Sequence, residues 1–249
     1  MAFTFPQAAL DWLFDGLPKP PVRGERASLL TFADSSVLPR GLARLGYQVT
    51  AVDARFNRVR PALGSTGMCL AVARPEALPF DDCRFEGVLV YQVFAEVVGG
   101  LSEIARVLRP GGRLMISQLS RDDTVPWVRD LSELLHSVDH SVMSPQDGDP
   151  LAAADASKYF TGVERRDFRH WEAVTRDDML EMVTTPSVGR LTEPSRSRFL
   201  RAAADIYTSA AGGNELRLPY RLRCWHATVD QEELTTPVSL DDPALVIAV

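Results

Sequence analysis

The sequence predicts an α/β fold built on a doubly wound, mainly parallel sheet with helices on both faces, and three observations carry that expectation. Short apolar runs alternate with helix-like stretches from Ala27 to about Leu119. The run YQVTAVD ends in an acid, Asp53, directly after a stretch that stops at Gly46. A later run, EGVLVYQVF, is apolar almost without a break, as a strand buried on both faces requires.

The elements follow in order. MAFTFPQAALDWLFDG has no basic leader and is interrupted by Asp11 and Asp15, so it reads as a short amphipathic helix packing Leu10, Leu13 and Phe14 rather than as a targeting peptide. SLLTFA is the first strand. VLPRGLARLG is a helix with Val37, Leu42 and Leu45 near one face and Gly46 as its stop. YQVTAVD is the second strand, and Asp53 falls at its carboxyl end, the edge where open α/β sheets bind ligands. TGMCLAVAR is the third strand and EGVLVYQVF the fourth. GGLSEIARVLRPGG is a helix with Leu101, Ile104, Ala105 and Leu108 on one stripe. Pro110 and the Gly111-Gly112 pair end it, the glycines supplying positive φ for a direct turn into the fifth strand, RLMISQL.

Beyond Ser120 the pattern loosens. DDTVPWVRDLSELLHSVDH reads as a helix, SPQDGDPLAAADAS as a turn-rich surface stretch, TRDDMLEMV and PSRSRFLRAAADIYTSA as two helices, and YRLRCWHATV as a late strand. The expected organisation is a helix and lead-in over 1–26, a main domain over 27–229 with its core at 27–119 and later elements at 120–229, and an acidic tail over 230–249. The closing run LVIAV reads equally as an added edge strand or a disordered end.

Bulk composition narrows the partners. With 249 residues, 45% of them hydrophobic, the chain can bury a sizeable core. A net charge of -6 disfavours nucleic acid or an anionic membrane as partner, because phosphate recognition needs a basic surface. Cys69, Cys83 and Cys224 are odd in number and widely spaced, which argues for neither disulfides nor a zinc knuckle and suits a reducing cytoplasm. No apolar run reaches membrane-spanning length.

Three stretches together narrow the family: VTAVD, then PEALPFDDCRFEGVLVYQVF, then LSEIARVLRPGGRLMISQL. In combination they resemble the class I S-adenosylmethionine-dependent methyltransferases, in the type-11 and trans-aconitate-methyltransferase-like branch. SRDDTVPWVRDL, FRHWEAVTRDDMLEMV and RLPYRLRCWHA continue the likeness, which covers roughly 6–229. The resemblance implies a Rossmann-like, seven-stranded sheet with a reversed last strand. It also implies methyl transfer from S-adenosylmethionine, in which the protein mainly orients the two reactants and shields them from water, so no catalytic residue is singled out.

The resemblance further implies a cofactor edge made of Ala33 and Asp34 in the loop after the first strand, Asp53, and Tyr91, the last of which reads equally as core or rim packing at the end of a strand. Asp53 matches the family residue that takes the two ribose hydroxyls, a role suited to two acceptor oxygens; read from its position alone, it could equally cap a helix over ARFNRVR. The loop departs from the family pattern. Aligned on Leu42-Ala43, the motif acid falls at Leu30 and the three glycines at Phe32, Asp34 and Ser36. Phe32 adds bulk and Asp34 a charge where close approach of the cofactor is expected. The adenine-side acid is matched by Arg74, and a His-Trp pair of near relatives by Ala95 and Glu96.

Other constellations in the sequence carry weaker signals. His136 and His140 stand four apart on a helix but lack a third ligand, so no metal site is expected. His170 and His226 read as packed or surface residues, and Arg165, Arg166 and Arg169 as a solvated basic run. There is no GxSxG. A nicotinamide-dependent oxidoreductase would need the same glycine-rich loop and leaves LPFDD and RVLRPGG unexplained. Two readings stay open: a methyltransferase with a small-molecule acceptor, or a non-catalytic member of the fold that has lost its cofactor and works through a protein partner.

Overall fold

The computed structural model describes residues 5–18, 27–33, 35–55, 68–139, 152–153 and 156–230. Seven strands lie in the order β3-β2-β1-β4-β5-β7-β6 in a mostly parallel sheet, as the resemblance implies. The chain divides into two compact units, one of Gly16–Ile116, Pro150–Glu164 and His226–Val249, the other of Met1–Asp15, Ser117–Asp149 and Arg165–Trp225.

In the first unit, β1 (Ser28–Ala33) pairs in parallel with β2 (Gln48–Asp53) and with β4 (Phe85–Tyr91), and β3 (Met68–Val72) lies outside β2. Leu29 through Phe32 and Val49 through Val52 are buried in unbroken runs, because strands on both sides and cover on both faces leave no wet side. The helix α2 (Val37–Arg44) buries Pro39 and Leu42. Val37 and Leu45, expected on that face, are each 50% exposed. Val37 lies about 140° around the helix from Leu42, and Leu45 falls beyond the last helical residue.

β4 ends at Tyr91 rather than running to Phe94, because Gln92 takes a positive φ of 66° and Phe94 already opens the short helix α3 (Phe94–Val97). A 3-10 turn, Val98–Gly100, leads into α4 (Leu101–Val107), whose Leu101, Ile104 and Ala105 are buried as the stripe required. Leu108 is also fully buried, but it begins β5 (Leu108–Arg121) instead of ending the helix. The glycine pair has split roles. Gly111 supplies positive φ (74°), whereas a Cβ on Gly112 would stand 2.7 Å from the Arg109 carbonyl oxygen.

The second unit contains α1 (Gln7–Leu13), with Ala9 and Leu13 buried, and α5 (Pro126–His136), started by a proline at its first position. Along the chain, α6 (Arg176–Val183), α7 (Pro186–Gly189) and α8 (Glu193–Ala211) follow β6 (Phe160–Val174) and precede β7 (Leu216–Val229). A capping box opens α6: Thr175 Oγ1 accepts from the Asp178 amide at 3.1 Å and Asp178 Oδ2 accepts from the Thr175 amide at 3.0 Å. Val128, Leu131, Met179, Val183, Phe199, Ala203 and Leu218 close into one buried cluster. No strand was expected over Phe160–Val174, and the reason is visible in its burial: β6 is the edge strand, exposed or half-buried at every residue from Thr161 to Ala173. An edge strand with so little buried face carries no apolar run to read. The closing run LVIAV, most of SPQDGDPLAAADAS and the stretch beyond Arg55 where a helix over ARFNRVR was an alternative expectation lie outside the described residues. Among those described, no helix is long and apolar enough to cross a membrane.

Candidate cofactor site

The candidate site lies within the first unit, where the strand order reverses: β1 has β2 on one side and β4 on the other. Loops leaving adjacent strands in opposite directions open a crevice at such a switch point. Register brings the expected residues to this edge. Ala33 is aligned with Tyr91, and Asp53 stands one residue beyond Val52, the partner of Phe32. Asp34 lies outside the described residues.

The Asp53 carboxylate is largely sheltered, with its side chain 10% exposed. Its Oδ1 accepts from the Arg55 amide at 2.7 Å, an Asx turn that fixes the carboxylate against the chain leaving β2. The same Arg55 carries its guanidinium to a second acid, Nη2 donating to Glu96 Oε2 at 2.8 Å, while its Nε stays 3.7 Å from Asp53 Oδ1. Arg55 therefore joins the end of β2 to α3. Gln92 adds a second local feature, a non-glycine residue in the left-handed region directly after β4, the kind of backbone strain that clusters at functional edges.

Of the three residues aligned with the loop glycines, Phe32 and Ser36 lie among the described residues. Phe32 is extended in β1 between Val52 and Val90 and is 3% exposed, so its ring belongs to the core and does not stand in the loop. Ser36 takes φ −82° and ψ −1°, a conformation open to any residue. Leu30 is fully buried and offers no acceptor, and Arg74 is exposed, bridged to Ala77 through the backbone. At this edge the chain thus offers the sheltered carboxylate of Asp53, while Leu30 in β1 offers no acceptor.

Sequence reading missed Arg55 and Gln92. A basic residue two places after the acid was the available signal for Arg55; the φ of Gln92 leaves no trace in composition. The distance-matched motifs LPFDD and RVLRPGG prove to be one structure. Arg106 donates to the carbonyls of Leu78 and Phe80, to Asp82 and to both oxygens of Glu103. Those bonds hold Glu103 below the usual carboxylate range and push the Arg106 guanidinium further up.

The remaining candidates have local partners. His136 Nδ1 bonds the Ser132 carbonyl at 2.9 Å, His170 lies 3.4 Å from Glu172 and His226 lies 3.7 Å from Glu164. Arg165 pairs with Asp167, and Arg166 stacks on Phe168. His140 lies outside the described residues, among which no three His, Cys, Asp or Glu side chains come together as a metal site.

A family model described as a methyltransferase domain matches residues 35–116, the stretch containing Asp53, Tyr91 and the Arg106 network. An uncharacterized methyltransferase of Mycobacterium tuberculosis is 31% identical over 237 residues, covering 91% of this chain and 90% of that protein. The chain belongs to the methyltransferase family. A demethylmenaquinone methyltransferase of Clavibacter sepedonicus is 35% identical over 116 residues, 44% of this chain and 46% of that protein. The fold agrees with a solved structure described as a type II methyltransferase from Anaeromyxobacter dehalogenans, at a TM-score of 0.61 and 18% identity over 90% of this chain and 95% of that one.

Proposed function

We propose that this methyltransferase-family chain binds S-adenosylmethionine at the carboxyl edge of β1, β2 and β4 and methylates a small molecule. The observation that carries the reading is the Asp53 carboxylate, sheltered at the end of β2 and held in place by the Arg55 amide. When bound, the cofactor supplies a methyl group on a sulfonium. Asp53 accepts from the ribose hydroxyls, Ala33 and Asp34 provide loop backbone, and Tyr91, 7% exposed, forms part of the wall at the end of β4. Orientation and exclusion of water are what the protein contributes. The small-molecule acceptor is supported by the relative named for demethylmenaquinone. Free cysteines, with Cys69 and Cys83 exposed, suit the cytoplasm.

A second reading, a non-catalytic family member acting through a protein partner, is favoured by fully buried Leu30 in place of the motif acid. Calorimetric titration with S-adenosylhomocysteine separates the two. Binding that is lost in Asp53→Ala supports the enzyme reading, and a flat isotherm at millimolar ligand supports the other.

A further inference from the structure

Alternate residues of a strand point the same way, so Arg165, Asp167, Arg169 and Trp171 share one face of β6, and Arg221, Arg223 and Trp225 share one face of β7. The two faces form one surface. The Arg165 guanidinium lies over the Trp225 ring, 5.6 Å from its centroid. Farther along β6 and correspondingly back along β7, Arg169 and Arg221 both act on Asp122. Arg221 Nη2 reaches Asp122 Oδ1 at 3.3 Å, and this carboxyl, held low mainly by its bond from Thr124, is lowered further by the charges of Arg221 and Arg169. All of these residues belong to the second unit.

The arginines of this surface outnumber the acids bonded to them. Asp167 is taken by Arg165, Nε donating to Oδ1 at 3.0 Å and Nη2 to Oδ2 at 3.1 Å, and Asp122 by Arg221. Neither Arg169 nor Arg223 has an ion pair among the described residues, and the Arg223 Nε is buried without a hydrogen-bond partner among them. Like charges on neighbouring strands repel. An anion among the guanidinium groups relieves that repulsion, because their forked donors match phosphate and carboxylate oxygens. Beside them on the same surface, two residues beyond Arg169, Trp171 is 52% exposed, an indole against which a flat ring can stack.

We propose that this surface of β6 and β7 binds an anionic small molecule, a flat ring carrying a phosphate or carboxylate, with Arg169, Arg221 and Arg223 around the acid group and Trp171 against the ring. A single-stranded nucleic acid combines the same two chemistries, but a chain of net charge -6 repels a polyanion that reaches beyond the patch. The site uses none of the residues assigned to the cofactor.

Phenyl phosphate tests the site, with inorganic phosphate as the anion alone and phenol as the ring alone. Binding is read by nuclear magnetic resonance from the indole N–H of Trp171, identified with Trp171→Phe, and from the backbone amides of β6. Phenyl phosphate is expected to shift these signals saturably and to bind on the order of tenfold more tightly than either half. Arg169→Gln and Arg223→Gln should each weaken it on the order of tenfold, the scale of a charge-assisted hydrogen bond. Trp171→Ala should bring phenyl phosphate down to the affinity of inorganic phosphate. Arg198→Gln, which removes an exposed arginine of α8, should leave binding unchanged. A native-like amide spectrum shows that a variant is folded, and either arginine variant suffices if the other is not. Signals unmoved by millimolar phenyl phosphate, undiminished affinity in the arginine variants, or equal affinity for phenyl phosphate and phenol would each overturn the proposal. Tighter binding of a single-stranded oligonucleotide than of phenyl phosphate would overturn it in favour of a nucleic acid.

Discussion

Arg106 donates to the Phe80 carbonyl at 2.8 Å, joining two motifs that lie 26 residues apart. Its other bonds reach Leu78, Asp82 and Glu103, so a single guanidinium clamps the LPFDD turn onto α4. Arg106→Ala removes the bonds to Asp82, to both oxygens of Glu103 and to two carbonyls, leaving Glu103 the bond from the Leu78 amide. It is expected to cost about 2 kcal/mol, lowering the melting midpoint by about 4–8 °C. Denaturant titration of wild type and variant checks this, and a loss below about 0.5 kcal/mol, the scale of a bare surface change, would contradict the clamp.

Glu103 in this network, and Asp122 and Asp178 outside it, carry a pH signature. Glu103 is held low mainly by its bond from Arg106, Asp122 mainly by Thr124, and Asp178 mainly by Thr175. Carboxyls depressed in the fold lend stability that is fully present above their ordinary values, 4.5 for Glu103 and 3.8 for the aspartates, and that is lost as pH falls through the folded values. The melting midpoint should therefore drop steeply below about pH 4. Glu103→Gln should show a shallower drop than wild type, and parallel curves would count against Glu103 as a contributor.

Two glycines separate rigid from yielding neighbours. A Cβ on Gly100 would stand 2.4 Å from the Pro75 carbonyl oxygen, a backbone atom, whereas at Gly87 the nearest atom is the Met115 Cε, at 2.8 Å on a flexible side chain. Gly100→Ala is expected to cost about 1–3 kcal/mol by overpacking, and Gly87→Ala less. Thermal unfolding of both variants orders them, and the reverse order would contradict the close approach of Pro75 to Gly100.

Thiol accessibility provides a quick check on β7. Cys69 and Cys83 are exposed, while Cys224 is fully buried and burial pushes its thiol well up, away from the reactive thiolate. A thiol reagent should label Cys69 and Cys83 in the native protein and Cys224 only after denaturation. Native labelling of Cys224 would mean that β7 opens or is misplaced.

Much of the sheet was legible because buried parallel strands write themselves as apolar runs: SLLTFA and YQVTAVD mark β1 and β2 closely. β6 was not legible, since an edge strand with exposed or half-buried residues between its ends has no such run. At the site, Asp53 and Tyr91 could be placed from their strand ends. The loop was harder to judge. Sequence alone sets Phe32 in a glycine's position, but only the register with Val52 and Val90 shows that its ring is in the core. The link from Arg55 to Glu96 joins residues 41 apart and depends on the turn at Gln92, so no local pattern announces it.

The most direct test of the cofactor site is the thermal and calorimetric response to S-adenosylhomocysteine in wild type and Asp53→Ala. Ligand at about a hundred times its dissociation constant should add about 2.7 kcal/mol, a melting shift on the order of 5 to 10 °C, and Asp53→Ala should abolish most of it. No shift at millimolar ligand together with a flat isotherm, or an equal shift in Asp53→Ala, would contradict a cofactor site built on Asp53.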